Sequence, residues 1–223
     1  MNEHTSKKFD TELEGIRTRV LQMGGMVELQ IVKAMEGLSD GDLLLIDQVI
    51  ENDNRVNLLE IELDEACNQV IAKRQPTAVD LRMISTVQKT ITDLERIGDE
   101  AKKIAKTAKQ IHTAVSPFMP QIRLSHIADA VVDMLRTSLD AYARLDTISA
   151  AQVVRQDKEV DAEFKGIMRQ LITYMMEDPR TISQAIELMF VAKSVERIIV
   201  DISHVPMNPA TIFMFFYKNI EVI

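Results

Sequence analysis

An all-α fold follows from three observations. Apolar residues recur at alternating steps of three and four over long stretches, which puts one stripe of a helix against other helices. Only 7 Gly and 6 Pro interrupt 223 residues, so long helices are favoured over strands and loops. The pattern also recurs after about a hundred residues, three segments per copy. The expected architecture is two repeated antiparallel three-helix bundles, or one longer bundle if the third and sixth helices meet.

The segments follow in order. The first starts near Phe9, carries Leu13, Ile16, Val20, Met23, Val27, Ala34 and Leu38 on its stripe, and ends in the turn cluster Gly37–Gly41. The second spans about Asp42 to Lys73, and Pro76 stops it by disfavouring helix in the residue before it. Its stripe is Ile46, Val49, Asp53, Val56, Glu60, Leu63, Cys67 and Val70. The third runs from Thr77 to about Val115 with Ile84, Val87, Ile91, Leu94, Gly98, Ala101, Ala105 and Ala108. Gly98 costs about 1 kcal/mol against Ala inside a helix, which points to close approach of a neighbour. Ser116-Pro117 to Pro120 is the clearest boundary. The fourth segment carries Leu124, Ile127, Val131, Met134, Ser138, Ala141, Leu145 and Ile148. The fifth carries Val153, Asp157, Val160, Phe164, Ile167, Leu171 and Tyr174, stopping at Asp178-Pro179, and the sixth has Ala185, Leu188, Ala192 and Val195. This divides the chain into a first repeat over 1–116, a second, incomplete repeat over 117–198 and an atypical apolar tail over 199–223.

Net charge is −8, which argues against nucleic acid as a partner, because phosphate backbones demand clustered Lys and Arg. The single cysteine, Cys67, excludes an internal disulfide and fits a reducing compartment; on its stripe it reads as a buried structural thiol. No apolar run reaches the roughly 18 residues of a membrane span, and no apolar core follows the polar N-terminus as in a signal peptide. A cytoplasmic protein is expected.

The acids carry the functional signal. Asp53 and Glu60 lie on the stripe of the second helix, where a carboxylate is costly unless paired or coordinated. Glu95 and Asp99, four apart, share a face beside the stripe of the third. Asp157 falls in the phase of Asp53, Asp157-x-x-x-Asp161 matches Asp53-x-x-x-Asn57, and Glu196-Arg197-Ile198 matches Glu95-Arg96-Ile97. Clustered carboxylates repel unless a proton or cation sits among them. Oxygen-only ligands suit a hard divalent cation or ferric iron. The other reading pairs these acids with Arg55, Arg96 or Lys103 as inter-helix salt bridges, and leaves Glu95 and Asp99 on a solvated face with Arg96, Lys102 and Lys103 as counter-charges; both readings stand on the sequence alone.

Met-Gly-Gly-Met-Val-Glu at 23–28, Asp-Glu-Ala-Cys at 64–67, Ile-Ala-Lys-Arg-Gln-Pro at 71–76, Glu-Arg-Ile-Gly-Asp at 95–99 and Leu-Ile-Thr-Tyr-Met-Met-Glu-Asp at 171–178 stand in an order and spacing that resembles the PhoU family. The resemblance covers roughly Phe9 to Ile198. It implies a non-enzymatic, cytosolic helical regulator, often a homodimer. Such a regulator restrains phosphate uptake and silences the phosphate-starvation (Pho) regulon by linking a phosphate ABC transporter ATPase to a sensor histidine kinase. It would lie at the membrane only through those partners. It also implies metal binding through E(D)-x-x-x-D motifs, matched here by Glu95 with Asp99 and by Asp157 with Asp161; Asp53, Glu60 and Glu196 join the candidate metal ligands from their stripe and repeat positions. Asn57 removes one carboxylate from that set.

The resemblance stops after Ile198. Val200 stands where the first repeat has Asp99, Pro206 and Pro209 would truncate the sixth helix, and Phe and Tyr crowd a tail on an otherwise aromatic-poor chain. One reading is a change of reading frame just after Ile198. The other is a genuine apolar tail that docks on a partner or a membrane surface. Among rival functions, a di-iron carboxylate enzyme would want Glu-x-x-His on two helices, and the nearest approach is Asp201-x-x-His204. A metal-binding helical scaffold without a phosphate-signalling role is the remaining alternative.

Overall fold

In a computed structural model the described residues are 3–114, 118–120, 122–144 and 146–205, with backbone alone for 3–8, 79, 147 and 157–159. They form six α-helices and no strand: α1 (Glu3–Asp40), α2 (Leu43–Arg74), α3 (Ala78–Thr113), α4 (Ser125–Arg144), α5 (Thr147–Glu177) and α6 (Ile182–His204). A 3₁₀ turn, Pro179–Thr181, joins the last two. The tail expectations beyond Val205, including the effect of Pro206 and Pro209, lie outside the described residues.

Local chemistry sets the helix ends. Asp42 accepts hydrogen bonds from the backbone of Leu44 (3.0 Å) and Leu45 (3.1 Å) and so caps α2. Gln75, at φ 47°, closes the other end with its N–H on Ile71 O. Asp146 caps α5 through Ile148 N (2.9 Å) and Ser149 N (3.3 Å). That cap corrects the expected fourth stripe, which ran on through Ile148. The helix breaks before Asp146, and Ile148 is an exposed residue of the first turn of α5.

The first turn cluster also differs from expectation. Helix α1 begins at Glu3 rather than near Phe9 and continues through Gly37 to Asp40. Gly37 is a packing residue: a Cβ there would lie 2.6 Å from Ile46 Cγ1, so its absence lets α2 close onto α1. Gly41 makes the turn, at φ +71°.

Within each half the three helices pack against one another, and the halves join along α3–α6 and α1–α4. The third and sixth helices therefore meet, and one hydrophobic core runs through both bundles. At the α1–α4 crossing Gly24 admits the Leu139 side chain, whose Cδ2 would stand 2.6 Å from a Cβ on residue 24. Helix α3 lies at the centre, against α1, α2 and α6. Besides the stripe read from the sequence it buries Ile97, Glu100, Ile104 and Ile111, a second stripe at helical spacing.

Candidate functional site

Asp53 is fully buried, as its stripe position requires. Lys102, two turns beyond Glu95 on α3, reaches across to place Nζ 2.6 Å from Asp53 Oδ2 and 3.7 Å from Asp99 Oδ1. Asn57 Nδ2 donates to the same Asp53 oxygen at 3.4 Å. Above them Gly98 leaves room: a Cβ there would meet Gln30 Oε1 at 3.0 Å and Asp53 Oδ1 at 3.8 Å. Gln30, Asp53 Oδ1 and Asn57 Oδ1 are buried with no hydrogen-bond partner among the described residues, so this is a polar chamber inside the first bundle.

The electrostatics follow from that crowding. Burial raises the Glu95 pKa, and the negative charges of Asp99, Glu60 and Asp53 add to the rise while Lys102 opposes it. Glu60 is raised by burial and by Asp64. The hydrogen bond to Asp53 raises Lys102. The structure thus brings Asp53 and Asp99 to one lysine ammonium, with Glu95 close enough to feel these charges and that of Glu60. Neither Arg96 nor Lys103 neutralises Asp53: they turn to the other side of α3. These four acids do not form a set of three ligand atoms within 4.8 Å of one another. The cation among them is Lys102, so the arrangement does not fit an ion without moving that side chain.

In the second half two of the candidates pair with a lysine on their own helix. Asp161 is paired with Lys165 one turn on (2.7 Å), and Glu196 with Lys193 (2.6 Å). The side chain of Asp157 lies outside the described residues. Val200, where the first repeat has Asp99, is exposed.

The α3–α6 seam carries charges that the sequence reading passed over. Glu100 is buried, with Lys103 Nζ at 2.8 Å and Arg197 Nη1 at 3.4 Å from Oε1. Burial pushes its carboxyl up, but hydrogen bonds from Lys103, Ser194 and Arg197, with the charge of Lys103, outweigh this and leave it below the usual range. One turn towards the α3 N-terminus, Arg96 Nη1 faces Asp201 Oδ1 at 3.8 Å. One turn further, Asp93, Asp201 and His204 each offer a ligand atom, all within 4.8 Å of one another. Burial raises both Asp93 and Asp201. The signal for the seam was present: Ile97, Glu100, Ile104 and Ile111 recur at the spacing of a second buried face.

Comparison with known proteins accords with this architecture. The PhoU domain model matches residues 20–108 and 124–199. A phosphate-specific transport system accessory protein PhoU of Escherichia coli K12 is 47% identical over 199 residues, covering 89% of this chain and 82% of that protein. Its counterpart in Edwardsiella tarda is 48% identical over the same length, covering 89% and 81%. The crystal structure of PhoU from Pseudomonas aeruginosa superposes with a TM-score of 0.87 at 40% identity, covering 93% of this chain and 98% of that one. Two consecutive three-helix bundles, a motif-bearing central helix and these matches lead to one conclusion: the chain belongs to the PhoU family.

Proposed function

We propose that this chain is a negative regulator of phosphate uptake and of the phosphate-starvation regulon, coupling a phosphate ABC transporter ATPase to a sensor histidine kinase in the cytoplasm. The observation that carries the reading is the identity of 47–48% over 199 residues to phosphate-specific transport system accessory proteins. Such a role is non-enzymatic and works through protein contacts, as a homodimer. Two features support it. No helix among the described residues is long and apolar enough to cross a membrane, which accords with an accessory protein that meets its partners by surface contact. Ile182, Ile186 and Phe190 lie exposed at four-residue spacing on α6, apolar surface of the kind that partner proteins cover.

In this reading the Asp53–Lys102 chamber fixes the register of α2 against α3 and holds Glu95 and Asp99 as a polar contact face. The experiment is alkaline phosphatase activity in phosphate-rich medium, in a strain lacking its own PhoU and supplied with this chain. A parallel strain receives a version with Gly-Asp and a full sixth helix restored after Ile198. Silencing by this chain supports the regulatory role. Silencing by neither version overturns it and leaves a metal-binding helical scaffold as the better account.

A further inference from the structure

Asp93 lies on α3, while Asp201 and His204 lie three apart on the last turn of α6, so they share one face. The ladder along the seam brings them together: Glu100 opposite Arg197, Arg96 opposite Asp201, then Asp93 opposite His204. Their ligand atoms all fall within 4.8 Å of one another. Bonds of about 2.0–2.2 Å from oxygen or nitrogen hold ligand pairs no more than about 4.4 Å apart around one ion. Small side-chain rotations therefore suffice to close the set. Asp201 is only 7% exposed, and no hydrogen bond reaches its carboxylate among the described residues; Arg96, at 3.8 Å, stands beyond hydrogen-bond distance. A buried carboxylate so placed favours a cation.

The donor set selects the kind of cation. Two carboxylates alone would suit magnesium or calcium, but an imidazole favours zinc, cobalt, iron and their neighbours. Three protein ligands also leave a position for water. We propose that Asp93, Asp201 and His204 bind one divalent first-row transition ion, which clamps the end of α6 to α3. This site is separate from the acidic motif of the first repeat. Two of its three ligands lie beyond residue 199, where the second family match ends.

The test uses the full chain, stripped of metal with a chelator and titrated with cobalt(II) as a spectroscopic stand-in for zinc. The expected result is a visible d–d band that saturates at a 1:1 ratio and is bleached by added zinc. His204→Ala and Asp93→Asn should each abolish the band at micromolar cobalt. His204 is exposed at the helix end, so its removal should leave the helical circular dichroism unchanged. A chain carrying Glu95→Gln and Asp99→Asn should keep the band. No band in the unaltered chain, or a band undiminished in either ligand variant, overturns the proposal.

Discussion

The ammonium of Lys102 stands 2.6 Å from a carboxylate oxygen of Asp53, a residue with no exposed surface at all. One end of the pair keeps access to water and the other has none. Removing the lysine leaves a carboxylate enclosed without its counter-charge, whereas replacing both partners leaves only a neutral amide of the same size. Lys102→Met should therefore destabilise the fold by about 3 kcal/mol, and Asp53→Asn with Lys102→Met should recover most of that loss. Urea unfolding midpoints of the two variants check this; equal losses would show that the pair itself is not what holds the chamber.

The adjacent glycines of α1 should respond with opposite signs. Gly24 faces Leu139, where a methyl group would sit 2.6 Å from Cδ2 and 2.7 Å from Cδ1, so Gly24→Ala must displace the Leu139 side chain from its seat at a cost of about 1–3 kcal/mol. Gly25 is exposed with nothing within 4 Å of a Cβ, and Gly25→Ala should stabilise by up to about 1 kcal/mol through helix propensity alone. Thermal melts of the two single variants decide it.

Glu100 gives the seam a defined pH dependence. Its folded pKa lies below its ordinary value of 4.5, so its contribution is fully present above pH 4.5 and is lost as pH falls through the folded pKa. Glu100→Gln should cost about 2 kcal/mol near pH 7. Stability measured against pH should show the two chains converging below pH 4.5. A constant gap across that range would mean that the charge of Glu100 contributes nothing.

Cys67 should be inert in the native chain. It is fully buried, and burial with the nearby charge of Asp64 raises its pKa from 9.0 to about 11. That rise alone cuts the thiolate fraction about a hundredfold. A chromogenic disulfide reagent at pH 8 should label the chain rapidly in urea and hardly at all without it. Rapid native labelling would show that the α1–α2 core opens locally.

How much of this was legible can be judged from particular residues. Asp53 was visible because an acid on an apolar stripe breaks a pattern, and the structure buries it fully. Its partner was not. Across the helices Arg55, Arg96 and Lys103 were the expected partners, with Lys102 set only beside Glu95 and Asp99; that Lys102 reaches Asp53 depends on the axial offset between α2 and α3. Ile148 was misplaced because the seven-residue spacing happens to continue across the break at Asp146. Only the hydrogen bonds of that cap mark the true end. Glu100 was overlooked because a single stripe was read on α3, although a helix packed on several sides needs several.

By itself the sequence determined that the chain is helical, one apolar stripe on each helix and which motifs tie it to its relatives. These are properties of spacing along one chain, and a 3.6-residue period projects them directly onto a helix surface. Which charges meet was decided by the tertiary structure alone. Asp53 finds Lys102, Glu100 finds Arg197, and Asp93 lies beside Asp201 and His204 because of the rotation and sliding of whole helices against one another. Sequence period does not encode that offset. It comes from how side chains such as Leu139 seat over Gly24 and Ile46 over Gly37, and a shift of a single turn, about 5.4 Å, would hand each charge a different neighbour.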